Sequence, residues 1–241
     1  METTINTKVS VIHFGLASYY AFGTYWFLCK LEPPKELLSI LEKAGFAQLN
    51  PFKFLTFWDM LIQSIYFSLA FLNDVVGSST ISRRKQSRLQ RIRDFFFSSI
   101  VFTCAAIVTI CFWGLYAVDR NLIFPESLDT WFPSWVNHNI HTAPLFGVLL
   151  EMWLVPHSYP KRSKGLIAVC SFGASYLGFL LYTTWASGMW TYPVLEKLTM
   201  WWRVSFLACA YAGVCFFYIC GEYLNQFIWE KDELLDQEKQ C

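Results

Sequence analysis

Six apolar stretches, each long enough to cross a bilayer, constrain this chain more than any other feature. They run approximately over residues 9–29, 54–76, 95–118, 135–155, 165–186 and 198–223. As helices they each cover about 30 Å or more at about 1.5 Å per residue. In lipid, every backbone N–H and C=O must find a partner within the protein, so such runs are read as helices. Charge supports this reading. Only 15% of the 241 residues are charged, against about 25% in soluble domains, and 55% are hydrophobic. A chain this apolar is not disordered. Its net charge of +1 excludes a nucleic-acid module, which needs a strong basic excess. The expected fold is all-α: a polytopic membrane bundle of six transmembrane helices forming one domain over residues 1–229, with a charged tail at 230–241.

The first run is long for a signal peptide, lacks an A-x-A site and has a weakly basic start, so it is expected to stay as a helix. Pro33–Pro34 and Asn50–Pro51 break the chain after it. Arg83, Arg84, Lys85, Arg88, Arg91 and Arg93 follow the second run, and Lys161, Arg162 and Lys164 follow the fourth. With six spans both termini share one side. That side carries twelve Lys and Arg against seven on the other, so the termini are expected in the cytoplasm. The basic run also suits anionic lipid headgroups. Of the eight Cys, seven lie in or beside apolar runs, where Cys acts as a small hydrophobe. No C-x-x-C occurs, which leaves a zinc ribbon unsupported.

Polar residues inside the runs fall at helical spacing. In the second run these are Thr56, Asp59, Gln63, Tyr66 and Asn73; in the fourth, Asn137, His138 and His141; in the sixth, Arg203, Tyr211, Tyr218 and Glu222. His13, Tyr20 and Thr24 do the same more weakly in the first. Each stripe serves helix–helix hydrogen bonding; several together point to a polar interior. The second and fourth runs enter from the same, non-cytoplasmic side. Thr56 then lies about 3 Å and His141 about 9 Å below their helix starts, close enough in depth to meet. A hydroxyl beside an imidazole is the minimum for an activated nucleophile. A lone Thr in a membrane helix also bonds its own backbone carbonyl, and spacing leaves both readings open. Pro144 lacks an amide donor, frees the Ile140 carbonyl and is expected to bend the fourth helix beside His141. His138 and His141 stand at a metal-ligand spacing, but His13 and His157 lie on other segments, so no metal and no cofactor is expected.

At these residues the chain resembles a known family. Lys53-Phe54-Leu55-Thr56-Phe57 with Asp59 and Gln63 is similar to the second span of the androgen-induced protein and androgen-dependent TFPI-regulating protein family. So are Asp119-Arg120, then Pro125, Leu128-Asp129, Pro133 and the block Asn137-His138-Asn139-Ile140-His141-Thr142. Glu151-Met152, Tyr159-Pro160, Gly188-Met189-Trp190, Tyr192-Pro193, Gly221-Glu222, Asn225 and Trp229 extend the likeness over most of the chain; the first run and both termini match poorly. The resemblance implies a multipass membrane hydrolase acting on fatty acid esters of hydroxy fatty acids. Its catalytic threonine falls on Thr56 and its catalytic histidine on His141; His138 matches a position without that role.

The implied chemistry has Thr56 attack an ester carbonyl while His141 takes its proton, through an acyl-threonine that water resolves. Asn137, His138 or a freed backbone amide are candidates for the oxyanion. Asp59 is a candidate orienting group or a structural acid. Arg120 is either a clamp for the substrate carboxylate or a snorkelling residue at the membrane edge. The expected partner is therefore a branched lipid ester within a membrane, in the endoplasmic reticulum or the plasma membrane. Two other classes compete: a transporter or channel that uses the polar stripes, and a scaffold that signals through the basic run or the tail.

Overall fold

The computed structural model describes residues 7–31, 34–35 and 51–238. The expected breaks at Pro33 and Asn50 lie outside them. The described residues form helices, turns and loops with no strand. The main helices are α1 (Thr7–Cys29), α2 (Leu55–Val76), α3 (Arg88–Phe96), α4 (Phe102–Asp119), α5 (Ser134–His141), α6 (Ala143–Leu154), α7 (Arg162–Ser187), α8 (Pro193–Lys197) and α9 (Met200–Glu238). Among the described residues, four helical stretches are long and apolar enough to cross a membrane: Leu55–Val76, Arg88–Leu122, Arg162–Ser187 and Met200–Trp229. The 23 residues of α1 are helical as expected, but Ser10, His13, Ser18 and Thr24 interrupt their apolar run.

Two stretches differ from the sequence reading in instructive ways. The fourth is two helices, α5 and α6, broken at Thr142. Pro144 cannot give an N–H to the Ile140 carbonyl, so the ladder fails there. The third begins seven residues early. Ser87 caps α3 by accepting from the Gln90 N–H at 3.1 Å, and a π-turn over Phe97–Val101 carries α3 into α4. Arg93 is therefore not a loop cation. It is fully buried and forks onto its neighbour Asp94, with Nε and Nη2 at 3.0 and 2.7 Å from Oδ1.

Helix α1 lies along α2, α4 packs on α6, and α9 packs on α4 and α7. Tyr20, Tyr66, Phe67, Phe97, Val148 and Met152 form the central apolar core. A second cluster joins Ile107, Tyr159, Val169, Val214 and Tyr218. Gly165 permits the α7–α9 approach, since a Cβ there would stand 2.0 Å from the Tyr218 hydroxyl. Gly188 ends α7 at φ 71°, a left-handed cap that favours glycine. The sixth helix continues beyond the expected boundary at 223, with its backbone helical to Glu238.

Candidate functional site

The start of α2 is held from outside the helix. Phe54, its N-cap, has no side chain able to cap the first turn. The Leu55 N–H donates instead to the hydroxyls of Tyr176 and Tyr192, each at 3.0 Å. The two hydroxyls are 2.6 Å apart, and Tyr176 also donates to the Lys53 carbonyl at 3.0 Å. Burial pushes the Tyr192 phenol above its ordinary range, so it remains a neutral hydrogen-bonding group. This clasp places Thr56, one residue on, in the wall of a cavity of about 610 Å³.

His141 enters the same wall from the end of α5. Its Nε2 stands 3.3 Å from Thr56 Oγ1. Its Nδ1 stands 2.7 Å from Asn137 Oδ1, one turn back on the same helix. Amide oxygen Oδ1 only accepts, so Nδ1 carries the hydrogen and Nε2 presents its lone pair to the Thr56 hydroxyl. Phe112 stacks flat on the imidazole, with centroids 3.5 Å apart and planes 8° from parallel. The break at Thr142 is covered by the Trp113 indole, which donates to the His141 carbonyl at 3.2 Å and to Thr142 Oγ1 at 3.1 Å. The ring is thus fixed on one face and at both nitrogens.

The remaining wall is almost wholly apolar. Met60, Ile107, Phe124, Leu128, Phe172 and Leu195 are typical, and among the described residues no Lys, Arg, Asp or Glu lines it. Such a space fits hydrocarbon, with Thr56 and His141 among the few polar groups on its wall.

The other predicted residues stand around this pair rather than in the wall. Asn137 is buried and committed to His141. His138 is exposed, stacks on Trp113 and lies 3.1 Å from Thr142 Oγ1 through its Nδ1. Asp59 is fully buried and accepts from Gln63 Nε2 at 3.0 Å. Arg120 gives its Nη2 to Asp129 at 2.7 Å and its Nε to the Phe124 carbonyl at 3.3 Å. Its guanidinium therefore ties down the loop after α4 and is not part of the cavity wall. The stripe in α9 resolves into contacts between elements: Arg203 to the Leu195 and Leu198 carbonyls, Tyr211 to the Cys170 carbonyl, Glu222 to Arg162.

Sequence reasoning missed a second polar centre. His13 Nδ1 meets Asp74 and Nε2 meets Glu151, both at 2.6 Å. Tyr66 donates to Glu151 at 2.5 Å. His157 stands 3.3 Å from both Glu151 and Asp94, stacked on Phe97. Three carboxylates, two imidazoles and the Arg93 guanidinium so join α1, α2, α3, α6 and the segment before α7. The signal was present in the placement of His13 and Tyr66 on polar stripes, but Glu151 gave no hint of its partners.

The FAR-17a/AIG1-like protein family matches residues 7–226. The androgen-induced gene 1 protein of Homo sapiens is 36% identical over 196 residues, covering 78% of this chain and 82% of that protein. The androgen-dependent TFPI-regulating proteins of Mus musculus and Homo sapiens are 32% and 30% identical over 223 residues, covering 92% of this chain and 94% of theirs. No solved structure matches the chain.

Proposed function

We propose, from the premise that the chain belongs to the FAR-17a/AIG1-like family, that it is an intramembrane lipid ester hydrolase. Thr56 is its nucleophile and His141 its base. The observation that carries this reading is the 3.3 Å approach of Thr56 Oγ1 to His141 Nε2 at the edge of an apolar cavity. The proposed substrates are fatty acid esters of hydroxy fatty acids, whose long chains suit that wall.

In the first half-reaction Oγ attacks the ester carbonyl as Nε2 takes its proton. The hydroxy acid leaves with that proton, and an acyl-Thr56 ester remains. Asn137 holds the imidazole in the required tautomer and steadies it while it carries the proton. The oxyanion develops beside the first turn of α2, at the positive end of that helix dipole. In the second half-reaction water attacks the acyl carbon, His141 serves again as base, and Thr56 is regenerated. In the membrane, α5 and α6 together make one traverse, giving six spans with both termini cytoplasmic. The excess of Lys and Arg on that side supports this arrangement after buried Arg93 is set aside.

The test is hydrolysis by membranes that contain normal amounts of each variant. Thr56→Ala and His141→Ala are expected to lose turnover of branched fatty acid esters. Full activity in either would overturn the mechanism. Thr56→Ser is expected to keep some turnover, because the hydroxyl remains in place.

A further inference from the structure

An acyl chain seated in an apolar cavity excludes bulk water, yet the second half-reaction consumes one water molecule. That water needs a polar place next to the cavity. Two helices supply one. Asp59 lies one turn along α2 from Thr56, about 4.5 Å of rise, and Gln63 lies one turn further on. Both are 0% exposed. Gln63 Nε2 donates to Asp59 Oδ1 at 3.0 Å, which orients both side chains; among the described residues Asp59 Oδ2 and Gln63 Oε1 have no hydrogen-bond partner. On α4, Thr103 is buried and its Oγ1 is unpartnered too. Thr103 and Cys104 belong to the cavity wall, and the Cys104 thiol lies against the Asp59 carboxyl.

Orphaned buried polar atoms in native proteins mark bound water or a functional group. Here the unpartnered set is two acceptors and one hydroxyl. A single water matches it: two hydrogens to Asp59 Oδ2 and Gln63 Oε1, one lone pair taking the Thr103 hydroxyl, and one lone pair left over. We infer that Asp59, Gln63 and Thr103 form a buried water site beside the cavity, and that this site supplies the water that hydrolyses acyl-Thr56. The inference rests on the reading of Thr56 as nucleophile. In the step, the water gives up its hydrogen bond to Gln63 Oε1, its oxygen bonds to the acyl carbon, and the freed hydrogen passes as a proton to His141 Nε2. The bond from that carbon to Thr56 Oγ then breaks, His141 returns the proton to Oγ, and a free fatty acid leaves. Asp59, Gln63 and Thr103 act as positioning residues for the water.

The test uses the purified full-length chain in micelles with 4-nitrophenyl octanoate as probe. Thr103→Val and Gln63→Met are expected to release the first equivalent of nitrophenolate as fast as the unaltered protein. Their steady-state release falls by about tenfold or more, because the water is no longer held in place. The octanoyl group then persists on Thr56 by mass spectrometry, and added methanol restores release with methyl octanoate as product. Thr103→Ser keeps both phases. An equal fall of both phases, or an unchanged steady state, overturns the water site and leaves Thr56 as nucleophile. Turnover by Thr56→Ala overturns the nucleophile and the water site together.

Discussion

Asn137 Oδ1 stands 2.7 Å from His141 Nδ1 across one turn of α5, so the imidazole and the amide that orients it move as one rigid unit. Asn137→Leu removes the acceptor and lets the ring rotate or change tautomer. The expected result is a loss of about 10–100-fold in kcat with a much smaller change in KM. Steady-state kinetics on a branched ester check it; a change confined to KM would contradict an orienting role.

Pro144 is the second determinant of the imidazole position. Pro144→Ala returns an N–H to the Ile140 carbonyl and allows α5 and α6 to run as one helix. The helix gains a backbone bond, but His141 rotates away from Thr56. A displacement of about 1 Å costs on the order of 100-fold in rate. The expected variant is folded, at least as stable to heat, and nearly inactive.

The tyrosine clasp gives a third expectation. Tyr176→Phe or Tyr192→Phe alone leaves the Leu55 N–H one acceptor, and each should reduce activity only modestly. The double variant leaves that amide without a partner, at a cost of about 1–3 kcal/mol. A double-mutant cycle on kcat is expected to show a loss larger than the sum of the single losses.

The buried ionic centre is expected to govern stability rather than chemistry. Glu151→Ala removes the carboxylate that faces His13, His157 and Tyr66. Leaving buried partners uncompensated costs about 3–5 kcal/mol. Thermal unfolding in micelles should shift well downward, whereas the folded fraction should still acylate Thr56.

Arg120 separates two readings of substrate binding. Its guanidinium is engaged by Asp129 and the Phe124 carbonyl outside the cavity wall. Arg120→Gln is therefore expected to leave KM within about twofold for a free-acid ester and for its methyl ester alike. A rise in KM for the free acid alone would make Arg120 a carboxylate clamp after all.

Helix positions were largely legible because their cause is local. Long, sparsely charged apolar runs locate both ends of α2 and α7, the end of α4 and the start of α9 to within about three residues. The interruption beside His141 was legible for the same reason: one missing amide at Pro144 acts on its own helix. The early start of α3 was not, since Arg93 reads as a solvated cation until Asp94 and His157 are seen to bury it.

The amino-acid sequence by itself determined an all-helical, apolar chain with Thr56 and His141 at comparable depths. Tertiary structure alone decided which polar residues meet. Thr56 and His141 are 85 residues apart, and His13 and Glu151 are 138 apart. In a soluble helix an apolar face would reveal the rotation toward the core. A membrane helix is apolar toward lipid and toward its neighbours, so its rotation is decided only when side chains pack. That packing pairs Thr56 with His141, sends Arg120 to Asp129, and joins Asp59 to Gln63 in the buried interior.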